Sequence, residues 1–318
     1  MTSIHGPKVA VIGGGTGLPV LLRGLRKYPI NLSAIVSVSD DGGSTGRLRQ
    51  DLAIPAPGDI RKVIASMSDA EPTLLKLLQH RFENGNGLSG HALGNLILAA
   101  MTSITGDFYQ GIKEISKVFN VKGRIYPIAN ENMFLNAEFV DGTVIRGESN
   151  IPKVGKKIKR VFYEPQHFQP LPEAIEAIKR SELIVIAPGS LYTSIMPNLI
   201  APQIQEALKN AKATKVYVCN IMTQYGETSG YKASDHIVAM HNHVGDAFID
   251  KIIVHSIPVD EKIKAGYAKE MAEPVVCDEE NLKKLGVEVI KGNFASLHDD
   301  QTLKHDEHKI AKKLIQLI

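Results

Sequence analysis

The chain reads as an α/β protein built on a doubly wound, mainly parallel sheet, and two observations predict this. Four short apolar runs, Lys8 to Ile12, Leu32 to Ser39, Leu183 to Ala187 and Lys215 to Cys219, each stop at a glycine-bearing or polar loop. Helix-like segments fill the spaces between runs, and strand–helix alternation is the pattern of a parallel sheet covered on both faces. With 318 residues, 43% of them apolar and 22% charged, the chain can bury one large core, so residues 1–318 are expected to form a single domain.

Taken in order, Lys8 to Ile12 is the first strand, the turn Gly13, Gly14, Gly15, Thr16, Gly17 follows, and Leu18 to Lys27 is a helix. Leu32 to Ser39 is the second strand, ending at a turn that begins Asp40, Asp41, Gly42, Gly43. Helices are expected at Asp59 to Met67, Thr73 to Arg81, Leu93 to Ile104, Gly111 to Phe119, Leu171 to Arg180 and Asn198 to Lys212. Between residues 123 and 163, strand-like stretches at Arg124 to Ile128, Ala137 to Val140 and Lys159 to Tyr163 read as a small antiparallel β excursion, and Lys304 to Leu317 as a surface helix.

Composition narrows the function classes. A formal charge of +3 is too small for a protein that neutralises many duplex phosphates, so no nucleic-acid partner is expected. Met1 to Lys8 lacks a long apolar run, and no later segment approaches the ~18–20 apolar residues of a membrane span. Cys219 and Cys277 have no CxxC spacing and read as reduced core thiols, which places the chain in the cytoplasm.

Chemistry concentrates in the loops. Glycines let backbone approach an anion and a helix N-terminus offers free N–H groups, so the turn at 13–17 suits a diphosphate; it serves equally as a tight βα turn, and it is not a G-x-G-x-x-G fingerprint. The segment from Ser39 to Arg49 gathers Asp40 and Asp41, suited to a ribose hydroxyl or a divalent metal, with Ser44, Arg47 and Arg49 suited to phosphate. The bland alternative makes Asp40 a helix cap and leaves both arginines in solvent.

Asp59, Arg61 and Lys62 open a predicted helix, where cations are unfavourable unless an anion binds or Asp59 simply caps. His91 and Asn95, four apart, are expected on one helix face towards a ligand or satisfied in the core. Gly189, Ser190, Asn220 and Thr223 supply polar groups at later strand ends. His241 and His243 read as a solvated loop, His298, His305 and His308 as surface residues, and the basic run Lys153 to Arg160 as a solvated strand face.

In order, GGGTG at 13–17, SVSDDGGSTGRLR at 37–49, PGDIRK at 57–62, HALGNLILAA at 91–100, APGSLYTSIMPNL at 187–199 and NIMTQYGET at 220–228 resemble the CofD-like family, in its YvcK-type branch. The resemblance spans nearly the whole chain and implies a Rossmann-like fold with its ligand at the strand C-termini. For the YvcK-type branch it implies binding of a UDP-sugar such as UDP-N-acetylglucosamine, and a regulatory role in cell shape and wall synthesis during growth on gluconeogenic carbon, acting on wall-synthesis proteins.

For the transferase branch the resemblance implies metal-dependent transfer of 2-phospho-L-lactate. The sugar-nucleotide contacts implied by the resemblance to the YvcK-type branch fall on Thr16, Asp40, Asp41, Arg47, Asn95, Ser190, Asn220 and Thr223. A further element, Tyr267, Glu270, Ala272, Pro274 and Val275, adds Tyr267 as a ligand contact or a packing residue. Nothing in the sequence identifies a catalytic base, so a binding protein without turnover is the preferred reading. No cofactor is required on that reading; Mg²⁺ on Asp40 and Asp41 is compatible with it, NAD is able to enter such a site adventitiously, and a symmetric homodimer is a compatible assembly.

Overall fold

The computed structural model of the protein describes residues 6–298 and 302–318; the reading of the first five residues lies outside these. The first half runs β1 (Lys8–Gly13), α1 (Gly17–Leu25), β2 (Asn31–Val36), α2 (Gly43–Leu52), α3 (Pro57–Met67), α4 (Pro72–Gln79), α5 (Leu93–Thr105), α6 (Phe108–Val118) and β3 (Arg124–Pro127). An inserted three-stranded sheet follows, from β4 (Phe134–Phe139), β5 (Val144–Arg146) and β6 (Ile158–Glu164). The second half runs α7 (Pro172–Lys179), β7 (Leu183–Ile186), α8 (Pro202–Asn210), β8 (Thr214–Val218), α9 (Ala233–Val244), β9 (Lys251–His255), α10 (Glu261–Ala268), α11 (Glu279–Lys284) and β10 (Glu288–Gly292). It closes with β11 (Ala295–Leu297), β12 (Leu303–His305) and α12 (Glu307–Ile315).

The main sheet has seven strands in the order β10-β9-β8-β7-β1-β2-β3, every pair parallel. β1 and β7 are apolar without alternation because a central parallel strand is buried on both faces: Val9, Val11, Ile12, Leu183, Val185 and Ile186 are fully buried. Helix limits follow local chemistry. Pro57 and Pro202 sit in first turns, where a missing N–H costs nothing, and Gly106 ends α5 in the left-handed region at φ 72°.

Several expectations need correction. Residues 124–127 do not join the antiparallel excursion; β3 pairs in parallel with β2 and forms the edge of the main sheet. The glycine-rich segment after Asp41 is not only a turn, since Gly43 begins a ten-residue helix. Helix α8 starts at Pro202, later than expected, because residues 191–198 are wound as a π turn and a 3₁₀ turn.

His241 and His243 lie in the last turn of α9, not in a loop. His305 is not a surface residue: it is half-buried, and its Nε2 donates to the Cys219 carbonyl at 3.0 Å. Helix α12 is shorter than the expected segment, and it buries Ile310, Ala311 and Leu314 while packing on α1. Cys219 is a buried free thiol, whereas Cys277 is only half-buried.

Candidate ligand site

The strand order reverses at β1, with β2 and β3 on one side and β7 to β10 on the other. Ligand crevices in doubly wound sheets open at such a switch point, beyond the strand C-termini. Here the crevice is framed by the turn 13–17 after β1 and by Pro188, Gly189 and Ser190 after β7. The two turns touch: a Cβ on Gly17 would overlap the Pro188 carbonyl, and one on Gly13 would lie 3.0 Å from the Ala187 Cβ. Gly15 is in the left-handed region at φ 66°, and Thr16 is the N-cap of α1 without a side-chain capping bond.

Two side-chain amides fix this frame, Asn198 buried and Asn220 half-buried. Asn198 donates from Nδ2 to the Gly13 carbonyl at 3.2 Å and to the Ser194 carbonyl at 2.9 Å. Asn220 pairs reciprocally with Gly189: its Oδ1 accepts the Gly189 N–H at 3.0 Å, and its Nδ2 donates to the Gly189 carbonyl at 2.7 Å.

The first turn, and the π turn that follows the second, each already face a carboxylate of the protein itself. Asp59, 4% exposed, accepts the Gly15 N–H at 2.5 Å on Oδ2 and receives Lys62 at 2.8 Å on Oδ1. Glu227, 5% exposed, accepts the N–H groups of Tyr192 and Thr193 at 2.8 and 3.3 Å and the Thr193 hydroxyl at 2.7 Å. Burial holds the Glu227 carboxyl above its ordinary range despite these bonds.

A second group of side chains lies where α2, α3 and α5 begin. The Ser44 Oγ is 3.0 Å from His91 Nδ1 and accepts from Asn95 Nδ2 at 3.3 Å, while Asn95 Oδ1 accepts from Arg61 Nε at 2.9 Å. His91 precedes α5, where sequence spacing placed it on the helix; both it and Asn95 are buried. Burial first, and the charge of Arg47 next, lower the His91 pKa. Arg47 is exposed and donates to the Ser89 carbonyl at 2.6 Å.

Asp59 links the groups, because its charge and burial together raise the Asp40 carboxyl, burial being the larger cause. Asp40 accepts the Gly42 N–H at 2.9 Å, and Asp41 accepts the Ser149 N–H at 2.8 Å, so the two acids are committed to different neighbours. Gly43 at φ 43° has open space where a Cβ would lie. Among the described residues no three His, Cys, Asp or Glu side chains are arranged to hold a metal ion.

The structure assigns Arg49 a role that differs from the expected phosphate contact. It is 1% exposed, donates to the carbonyls of Ser39 at 2.9 Å and Asp40 at 3.1 Å, to Asn132 Oδ1 at 2.9 Å and to the Met133 carbonyl, and stacks over Phe134. It therefore pins the loop that carries Asp40 to the inserted sheet.

Thr223 and Tyr267 make their hydrogen bonds to other segments. Thr223 pairs with Glu273 through two hydrogen bonds, and the Tyr267 hydroxyl accepts the Leu303 N–H at 2.9 Å. Sequence reasoning missed Glu148, which receives the Ser39 hydroxyl at 2.8 Å and whose carboxyl is raised by burial and by Asp59 and Asp40. It also passed over Asn198 and Glu227, although both lie inside motifs it had quoted.

The fold and crevice together define a doubly wound α/β protein with a polar, glycine-framed site at its switch point. The chain belongs to the CofD family: the model described as 2-phospho-L-lactate transferase CofD matches residues 9–295. Within it the chain falls in the YvcK-type branch. It is 56% identical over 308 residues to the gluconeogenesis factor of Halalkalibacterium halodurans, covering 97% of this chain and 95% of that one. It is 54% identical over 312 residues to the gluconeogenesis factor of Bacillus subtilis, covering 98% of each. A Bacillus halodurans crystal structure superposes with a TM-score of 0.95 at 56% identity, covering 98% of this chain and 99% of that one.

Proposed function

We propose that this protein binds a UDP-sugar, in the first instance UDP-N-acetylglucosamine, and acts as a regulator of cell shape and wall synthesis during growth on gluconeogenic carbon. The observation that carries the reading is the frame at the switch point, where glycines let the 13–17 turn and the 188–190 turn meet and where a diphosphate would compete with Asp59 for the Gly15 N–H and with Asn220 for the Gly189 N–H. The name gluconeogenesis factor, borne by relatives above 50% identity, supports the physiological half. Among the described residues no helix is long and apolar enough to cross a membrane, which agrees with a ligand drawn from solution.

The test is calorimetric titration with UDP-N-acetylglucosamine, with and without Mg²⁺, against GDP and NAD. Selective micromolar binding of the UDP-sugar is expected. A metal-dependent preference for GDP would instead favour the transferase reading, which the description of the matching family supports. In that case Asp40→Asn abolishes turnover with the fold intact.

A further inference from the structure

Arg61 is only 8% exposed, and a buried arginine is ordinarily paired with a carboxylate. Among the described residues its side chain makes one hydrogen bond, from Nε to Asn95, and no ion pair, so its two terminal nitrogens are left without a protein partner. Two further guanidinium groups approach the same corner without an ion pair. Arg81 Nη1 donates to the Gly90 carbonyl at 2.6 Å, and Arg47 Nη2 donates to the neighbouring Ser89 carbonyl at 2.6 Å.

The backbone adds charge of the same sign. Helices α2, α3 and α5 bring their first turns together here: Ser44 touches Asn95, Asn95 touches Arg61, and a Cβ on Gly58 would meet the Thr45 Oγ at 2.5 Å. None of the three has a side-chain capping bond, and α2 and α5 carry no acid in their first turns. Three partial positive ends thus gather around a buried cation that forms no ion pair with the nearby carboxylates Asp59 and Asp40, which leaves its terminal nitrogens open to an entering anion. Burial, and after it the charge of Arg81, weaken the hold of Arg61 on its proton, and the charges of Asp59 and Asp40 offset this only in part.

We propose that Arg61, Arg81 and Arg47 form an oxyanion subsite, separate from the glycine turn, that takes a phosphate or carboxylate group. The reading deepens the UDP-sugar proposal and rests on it for the identity of the whole ligand, but the subsite itself can be probed without nucleotide. The oxyanion has two sources: the diphosphate of the UDP-sugar, or a second acidic group carried by the sugar or arriving alone.

The experiment uses the full chain and the variants Arg81→Gln and Arg61→Gln, with circular dichroism to establish that each is folded. Thermal-shift and calorimetric titrations are run with orthophosphate, pyrophosphate, UDP-N-acetylglucosamine and UDP-glucuronate. Phosphate or pyrophosphate is expected to stabilise the wild type, with affinity at least tenfold weaker in Arg81→Gln. If the subsite holds the diphosphate, Arg81→Gln weakens pyrophosphate and both UDP-sugars alike; if it holds a separate group, UDP-glucuronate alone among the nucleotides loses affinity and orthophosphate still binds beside UDP-N-acetylglucosamine.

Phosphate binding sensitive to Arg81, in a wild type that ignores both UDP-sugars, would uphold the subsite and sink the sugar reading. Equal affinity for every anion in the wild type and in folded Arg81→Gln overturns the proposal; should Arg61→Gln fail to fold, the Arg81 comparison decides alone.

Discussion

Replacing Glu227 separates a structural carboxylate from an ionised one. In the Glu227→Ala variant, the N–H groups of Tyr192 and Thr193 and the Thr193 hydroxyl lose their acceptor inside the protein. An orphaned buried donor costs about 1–3 kcal/mol, and with relaxation a total of about 3 kcal/mol is expected. An unfolding entropy of about 2.1 cal/mol/K per residue, applied to 318 residues, converts this to a fall in Tm of about 4–5 °C.

Glu227→Gln behaves differently, because its amide oxygen keeps both N–H groups and its amide nitrogen donates to the Thr193 hydroxyl oxygen. Since the folded state raises the Glu227 pKa above 4.5, it binds the proton more tightly than the unfolded chain does. That contribution to stability is fully present below pH 4.5 and is lost as pH rises through the folded value. Thermal melts from pH 4 to 8 should therefore show Glu227→Gln close to wild type in acid and gaining on it as pH rises. A glutamine variant that melts as low as the alanine variant at every pH would refute the argument.

Gly17→Ala should force the 13–17 turn away from the Pro188 carbonyl and weaken UDP-sugar binding about tenfold; an unchanged dissociation constant in calorimetry would show that the contact between turns does not matter. Arg49→Met should lower stability by about 3 kcal/mol or more, through the abandoned carbonyls of Ser39, Asp40 and Met133; chemical denaturation measures this, and an unaltered midpoint with lost ligand affinity would restore its phosphate role. Burial lowers the His236 pKa to about 4, so the folded state binds fewer protons than the unfolded between pH 4 and 6.5, and stability falls as pH drops through that window. A His236→Phe variant should show a shallower acid slope, by about 3 kcal/mol across the window, and an identical slope would contradict a neutral buried ring.

Much of the fold was legible because parallel strands announce themselves as unbroken apolar runs closed by glycine, as at Lys8 to Gly13. Helix α2 was not, since GSTGRLRQDL is rich in glycine and hydroxyl residues and has little apolar periodicity; it is held by Ser44 against His91 and by Arg49 against Asn132 and Met133, far along the chain. The role of Arg49 was hidden for the same reason, because no spacing marks an arginine that will be sealed under backbone carbonyls. His305 looked exposed because its sequence neighbours are polar, and only the β11–β12 pairing, with the bond to Cys219, takes it inward. Spacing did mark the 13–17 turn, yet it could not disclose that Asp59 already occupies the Gly15 N–H and that Asn220 occupies the Gly189 N–H.

The position of β1 has a consequence during synthesis. Its second neighbour is β7, and Val9 pairs with Leu183, so the pairing must wait until 174 further residues have been made. At about 5–20 residues per second, a ribosome takes roughly 9–35 s to supply them. Throughout that time β1 lacks its β7 neighbour, first alone, then beside β2 and, once residue 127 has been made, beside β2 and β3; its open apolar edge makes strand-edge aggregation a hazard set by translation rate as much as by equilibrium stability.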